Sequence, residues 1–369
     1  MKENDKPILV TQPTLPNLDD FVEKLKQIWD NKWLTNNGKF HQEFEKKLAE
    51  YLGVNYISLF SNGTLALMAA LKVLDIKGEV ITTPYTFVAT SHALLWNNIT
   101  PVFCDIDPVY GNLDVDKIEA LITDKTTAIV PVHVYGNPVN TAKIDEIAKK
   151  YNLKVIHDAA HAFGVKKNDK TILNSGDLSI LSFHATKTFN TIEGGAIVSH
   201  TKETKQQIDY LKNFGFESET SVVTLGINAK MNELQAAFGL LQLETIDNDI
   251  AKRKKITEKY RKKLKGVTGI RFLEDLPNVK HNYSYFPIFV ESSYPLTRDE
   301  LYEKLKKNNI FGRRYFFPLI SDFEIYKELD SAQPRALSNA VKVANEVICL
   351  PIYPTLENNY IDIIINIIK

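Results

Sequence analysis

The chain has 369 residues, 44% of them hydrophobic, with 45 basic residues balanced by 45 acidic ones. That length suits two domains or one large domain with an appendage, and the balance leaves no net field to gather nucleic acid or an anionic membrane, so a substrate is to be sought in a pocket. Cys104 and Cys349 lie far apart in apolar surroundings and read as buried free thiols in a reducing cytoplasm, neither a disulfide framework nor a metal site. Residues 1–6 are charged and lack the apolar core of a secretion signal. The apolar tail 361–368 is interrupted by Asp362 and Asn366 and is too short to span a bilayer, so a cytoplasmic protein is expected.

In residues 17–52 apolar side chains recur at helical spacing, first Phe21, Val22, Leu25, Ile28 and Trp29, then Phe40, Phe44, Leu48 and Tyr51. This predicts two helices around the polar loop Leu34-Thr35-Asn36-Asn37-Gly38, which acts as a helix breaker or reaches an active site. Residues 56–60 read as a buried strand, Ser61-Asn62-Gly63-Thr64 as a turn and 65–74 as a helix. Free amides at such a helix start favour an anion, although a helix simply capped by Asn62 or Thr64 has the same sequence. Further strands are predicted at 79–84, 101–105, 127–132, 154–158 and 178–183, with helices at 86–96 and 144–151 between them. Near-continuous β-branched runs without tight hairpins indicate a mostly parallel sheet covered on both faces. Ligands gather at the carboxyl ends of such strands, and Asp158 occupies one of them.

Lys187 follows the last of these strands. Its flanks, Phe183, His184, Ala185, Thr186, Thr188 and Phe189, are aromatic, small or hydroxylic rather than charged. Burial there would depress an amine's pKa toward nucleophilicity, whereas the bland alternative is a solvated loop lysine. Pyridoxal phosphate needs a lysine for its aldehyde, a carboxylate for its pyridine nitrogen, a stacking aromatic and a phosphate cup, and this one sheet edge offers candidates for all four. After Gly194-Gly195 and the apolar run 196–198 come a helix near 205–213, a loop with Gly215 and Gly226, and a buried helix at 234–243. Residues 252–265 are dense in Lys and Arg, but Ile256, Tyr260 and Leu264 recur every four positions, as in an amphipathic helix with a solvated face. Residues 1–244 are read as the large domain and 245–369 as a smaller α+β domain, with a strand at 285–290 and a helix at 298–308. Gly312-Arg313-Arg314-Tyr315-Phe316-Phe317-Pro318 joins two cations to aromatics, a composition suited either to a diphosphate and a ring or to plain surface.

Taken together, the ordered motifs resemble those of the DegT-type sugar aminotransferases, pyridoxal phosphate enzymes of aminotransferase fold type I. They are Trp33-Leu34-Thr35-Asn36-Asn37-Gly38, Ser61-Asn62-Gly63-Thr64-Leu65-Ala66-Leu67, Pro84-Tyr85-Thr86-Phe87-Val88-Ala89-Thr90, Asp158-Ala159-Ala160-His161-Ala162, Ser182-Phe183-His184-Ala185-Thr186-Lys187 and Gly226-Ile227-Asn228-Ala229-Lys230-Met231-Asn232-Glu233. The resemblance covers the chain from about Val10 to beyond Pro351.

The resemblance implies that Lys187 bonds the aldehyde of pyridoxal 5'-phosphate and moves the substrate proton. Asp158 would pair with the pyridine nitrogen, Phe87 would stack on the ring, and His161 would face the ring hydroxyl. Gly63, Thr64 and Ser182 would hold the phosphate, joined by Asn228 from a neighbouring subunit, which makes the enzyme a homodimer with shared sites. Tyr315 and His184 are candidates for the substrate side. The family often carries an arginine where this chain has Lys230, which keeps the charge and loses the planar fork. The implied reaction moves an amino group from an amino acid, glutamate, to a nucleotide-linked keto-6-deoxyhexose, dTDP-linked and aminated at C-4 or C-3, for surface-glycan amino sugars. A sugar dehydratase of the same fold would carry histidine at the lysine position, and a non-catalytic relative would have lost Lys187 or Asp158.

Overall fold

The computed structural model describes residues 6–369, so the first five residues of the charged N-terminal stretch lie outside the described residues. Seven strands form the central sheet: β1 (Tyr56–Phe60), β2 (Glu79–Thr82), β3 (Thr100–Phe103), β4 (Thr126–Val130), β5 (Lys154–Asp158), β6 (Leu178–Ser182) and β7 (Gly195–Ser199). Their order across the sheet is β1-β7-β6-β5-β4-β2-β3. All pairings from β6 to β3 are parallel, and only β7 runs against its neighbours β1 and β6. The mostly parallel α/β sheet expected from the β-branched runs is therefore present.

Helices α1 (Leu18–Asn31), α2 (Lys39–Leu52), α3 (Gly63–Val73), α4 (Ala89–Trp96), α5 (Thr141–Tyr151) and α6 (Lys202–Leu211) accompany these strands. The loop between α1 and α2 does break the helix, with Asn36 and Asn37 both in the left-handed region. It is also tied down from afar. The buried carboxylate of Glu233 accepts the amides of Phe40 and His41, each at 2.8 Å, at a helix start where no side chain of the preceding residue caps. A side chain at Gly38 would collide with that carboxylate, its Cβ falling 2.5 Å from the carboxyl carbon.

Two expectations change. A tight hairpin exists after all: Lys166–Lys167 pairs with Lys170–Thr171 through Asn168 and Asp169, both at positive φ, as two-residue hairpins require. The separate helices expected at 234–243 and 252–265 are one 32-residue helix, α7 (Glu233–Leu264), because no Gly or Pro interrupts 244–251 and the buried series continues through Ile246 and Ile250. The division placed at 244/245 thus falls inside a continuous helix. Beyond it, β8 (Ile270–Phe272), β9 (Phe286–Val290) and β10 (Val347–Leu350) form an antiparallel sheet. It is accompanied by α8 (Arg298–Lys307), α9 (Ser338–Glu346) and α10 (Asn358–Ile368). One apolar cluster runs from Leu59 and Phe183 through Ile250 and Tyr260 to Ile288 and Ile364, so both sheets share a core. Cys104 and Cys349 are buried free thiols. Among the described residues no helix is long and apolar enough to cross a membrane.

Candidate active site

Asp158 ends β5 and Ser182 ends β6, so the parallel sheet sets both at one edge, beside the start of α3. A cavity of about 260 Å³ opens there. Gly63, Thr64, Phe87, Asp158, His161, Ser182, His184, Lys187 and Tyr315 all line it, together with Thr90, Glu193, Tyr285 and Phe316. Asn228 alone among the expected site residues does not; it is exposed, on the segment that precedes α7.

At the mouth of α3 the Asn62 side chain accepts the Leu65 amide at 2.9 Å and its carbonyl accepts that of Ala66, which leaves the amides of Gly63 and Thr64 without intrahelical partners. Neighbouring strands press against this turn. A Cβ on Gly63 would lie 3.0 Å from Ser182 Cβ, and one on Gly195 would lie 2.7 Å from the Asn62 carbonyl and the Gly63 nitrogen. Two amides and the Ser182 hydroxyl thus share a cup that needs glycine at 195 and is tight around Gly63, and the helix dipole adds to its preference for an anion.

Asp158 is 4% exposed. Its Oδ2 accepts the Thr90 hydroxyl at 2.8 Å and its Oδ1 accepts the Ala160 amide at 3.1 Å. Burial pushes its carboxyl pKa up, opposed by these two hydrogen bonds and by the charge of Lys187. It forms no ion pair with another described residue, so the carboxylate is a buried anion that still calls for a cation. Lys187 stands in the turn after β6, its amide donated to the His184 carbonyl at 2.8 Å. Enclosure of its amine lowers its pKa to about 8, against the opposing pull of Asp158. His161 is buried and stacks on Phe316 at 5.8 Å, with Tyr285 edge-on at 5.0 Å. Its Nδ1 accepts the Tyr135 amide at 3.3 Å, which leaves the proton on Nε2. Burial, then the Lys187 charge, hold its pKa well below the usual value, so the ring is a neutral donor.

Phe87 is 58% exposed at the open side of the cavity. The backbone carbonyl of Tyr315 accepts from both Tyr85 and Tyr135, whose hydroxyls are themselves 2.5 Å apart, and this anchors the 315–316 segment to the large sheet. Neither arginine of that segment lines the cavity: the exposed Arg313 pairs through its backbone with Cys349, and the Arg314 guanidinium binds Asp299 at 2.7 Å and covers the Tyr302 ring. Lys230 is likewise engaged locally, donating to Asn213 at 2.8 Å above the Phe214 ring. Thr90, Glu193, Tyr285 and Phe316 were not singled out from sequence. Thr90 stood in the motif Pro84 to Thr90 and Phe316 in the aromatic run Gly312 to Pro318, which were their only signals; Glu193 and Tyr285 reach the cavity through loop and small-sheet geometry that no local pattern encodes.

The model of the DegT/DnrJ/EryC1/StrS aminotransferase family matches residues 17–369. The chain belongs to that family. It is an aminotransferase, and its cofactor is pyridoxal 5'-phosphate. It is 54% identical over 365 residues to a dTDP-4-amino-4,6-dideoxy-D-glucose transaminase of Shigella dysenteriae, covering 99% of each chain. It is 53% identical to the protein of that name from Escherichia coli, covering 99% of this chain and 98% of the other. Among solved structures, DesI with its TDP-sugar product superposes with a TM-score of 0.94 at 33% identity, over 98% of this chain and 92% of that one. Helicobacter pylori PseC, an aminotransferase of pseudoaminic acid biosynthesis, superposes at 0.91 with 28% identity over 98% of both.

The aminotransferase's cavity fits the cofactor on its own terms. A buried carboxylate has no ion pair among the described residues, a glycine-framed cup presents two amides without intrahelical partners, and an amine of lowered pKa lines the same cavity as a neutral imidazole donor and an exposed phenyl ring.

Proposed function

We propose that this aminotransferase carries an amino group from L-glutamate to C-4 of a dTDP-linked 4-keto-6-deoxyhexose, to make an amino sugar for a surface glycan. The observation that carries the amine-transfer chemistry is Lys187, an amine of lowered pKa in the same cavity as a buried carboxylate that has no ion pair among the described residues. Support for the sugar comes from the activity for which the Shigella and Escherichia relatives are named.

When bound, the cofactor supplies an electron sink for the bond that breaks at the amine-bearing carbon. Asp158 would keep the ring nitrogen protonated and so maintain that sink. His161 would offer its Nε2–H to the ring hydroxyl, and Phe87 would supply the stacking ring. The Gly63 and Thr64 amides and the Ser182 hydroxyl would hold the phosphate. With the cofactor bound, Lys187 Nζ would take the proton from the substrate's amine-bearing carbon, hold it, and give it back from the same face. One amine serving both halves predicts ping-pong kinetics.

The enzyme works as a homodimer in which Asn228 reaches the partner's phosphate. In support, Asn228 is exposed and lies outside its own chain's cavity, on a segment that also exposes Val222, Val223 and Leu225.

The test is a panel of dTDP-, UDP- and GDP-linked 3-keto and 4-keto sugars, each given with glutamate and alternative amino acids and read by mass spectrometry, with NMR to place the new amine. Product from the dTDP-linked 4-keto sugar, aminated at C-4, is expected. Amination at C-3, or turnover confined to another nucleotide, overturns the substrate assignment.

A further inference from the structure

Within the cavity wall, His184 and Glu193 form a pair that neither the cofactor nor the proton transfer uses. His184 Nε2 and Glu193 Oε1 are 3.5 Å apart, and the two side chains are 47% and 53% exposed. The tautomer of His184 is set by Thr186, whose amide donates to Nδ1 at 3.2 Å and whose hydroxyl lies 2.8 Å from the same nitrogen. With Nδ1 accepting, the proton resides on Nε2, toward the carboxylate. The gap between Nε2 and Oε1 exceeds that of an ordinary N–H···O bond, about 2.7–3.2 Å.

The backbone under Glu193 is held unusually firmly. Its carbonyl accepts the Thr191 hydroxyl and the Gln235 side-chain amide, each at 2.7 Å. Phe183 brackets the loop, its amide donating to the Gly194 carbonyl at 2.8 Å and its carbonyl accepting the Thr191 amide at 2.9 Å. A Cβ on Gly194 would fall 2.1 Å from Thr191 Oγ1, so the loop packs too closely there for any side chain. His184 is fixed to the reacting lysine by its own carbonyl, which accepts the Lys187 amide. A donor and an acceptor-only group thus stand side by side at the cavity wall, His184 in the same tight turn as Lys187 and Glu193 on the anchored loop that precedes β7.

A sugar hydroxyl fits this pair because it donates and accepts at once. Two atoms 3.5 Å apart allow one oxygen to lie about 2.8 Å from both, donating to the carboxylate and accepting from Nε2–H. A carboxylate ligand fits less well, since Glu193 would repel it. The turn shared with Lys187 points to the hydroxyl next to the carbon that receives the amine.

We propose that His184 and Glu193 clamp the C-3 hydroxyl of the keto-sugar and so decide which sugars are aminated at the neighbouring carbon. This rests on the sugar-transaminase reading above and deepens it.

The experiment measures the two half-reactions separately in wild type, Glu193→Gln and His184→Gln. The cofactor's absorbance follows the half-reaction with glutamate, and product mass follows the half-reaction with whichever keto-sugar of the panel the wild type turns over, alongside its 3-deoxy analogue. Loss of a hydrogen bond to a charged group predicts a fall of about 10-fold to 100-fold in kcat/KM for the sugar, exceeding any change with glutamate by at least about 10-fold. The wild type should discriminate against the 3-deoxy analogue by a similar factor, and Glu193→Gln should lose most of that discrimination. Equal effects on both half-reactions, or undiminished discrimination in Glu193→Gln, would overturn the clamp while leaving the sugar assignment intact. Failure of the wild type to aminate any keto-sugar would overturn both.

Discussion

The lowered pKa of Lys187 makes a prediction that can be tested on the cofactor-free protein. Enclosure holds the amine near about 8 instead of the usual lysine value of about 10.4. At pH 7 the unprotonated fraction is then about 9%, against about 0.04% for an ordinary lysine, a gain of roughly 230-fold in reactive amine. Competitive acylation with acetic anhydride across about pH 6 to 11, with the Lys187 peptide quantified by mass spectrometry against the other lysine peptides, reads this directly. Labelling of Lys187 should rise with a midpoint near about 8. Asp158 is the group that opposes the shift, because an adjacent anion favours the charged amine, so Asp158→Asn should move the midpoint lower still. A midpoint near about 10.4, or a midpoint that rises in Asp158→Asn, refutes the reasoning that burial activates this lysine.

Thr90→Val removes the hydroxyl donated to Asp158 Oδ2 and pushes an already raised carboxyl pKa further up, so cofactor affinity should fall about 10-fold to 100-fold, measurable by fluorescence titration. Glu233→Ala leaves the buried amides of Phe40 and His41 unpaired and should cost about 2–4 kcal/mol in denaturant unfolding, with Glu233→Gln intermediate. Stacked, buried His133 and His157 stay neutral in the fold, His157 because burial lowers its pKa to about 4. The unfolded chain therefore takes up protons first, and the stability present above about pH 6.5 is lost as pH falls toward about 4. Thermal melts between pH 7 and 4 should show this loss, and His157→Leu should flatten it.

Legibility differed by element for definable reasons. The strands ending at Asp158 and Ser182 were readable because a strand buried on both faces needs an unbroken apolar run. The long helix was not read as one element: its first half is apolar all round and its second amphipathic, and a change of burial along a helix looks like two helices when no partner surfaces are visible. The Asn168-Asp169 hairpin was missed because its strands are only two residues each and mostly lysine, too short for alternation to register. Of the nine expected site residues other than Asn228, all reached one cavity, yet the side chains around them came from distant segments. Thr90 sits 68 positions from the carboxylate it supports, and Glu233 sits more than 190 from the amides it caps.

The sequence by itself determined the parallel α/β sheet, the lysine, the carboxylate and the glycine turn, because periodicity and special backbone positions are local properties carried by neighbouring residues. Only the tertiary structure decided the rest: that Asp158 is buried without a cation, that Lys187 is enclosed enough to lose its proton near about pH 8, that His161 is a neutral donor, and that Glu193 stands beside His184. Those properties depend on desolvation and on distances between segments far apart in the chain, and neither exists until the chain has folded.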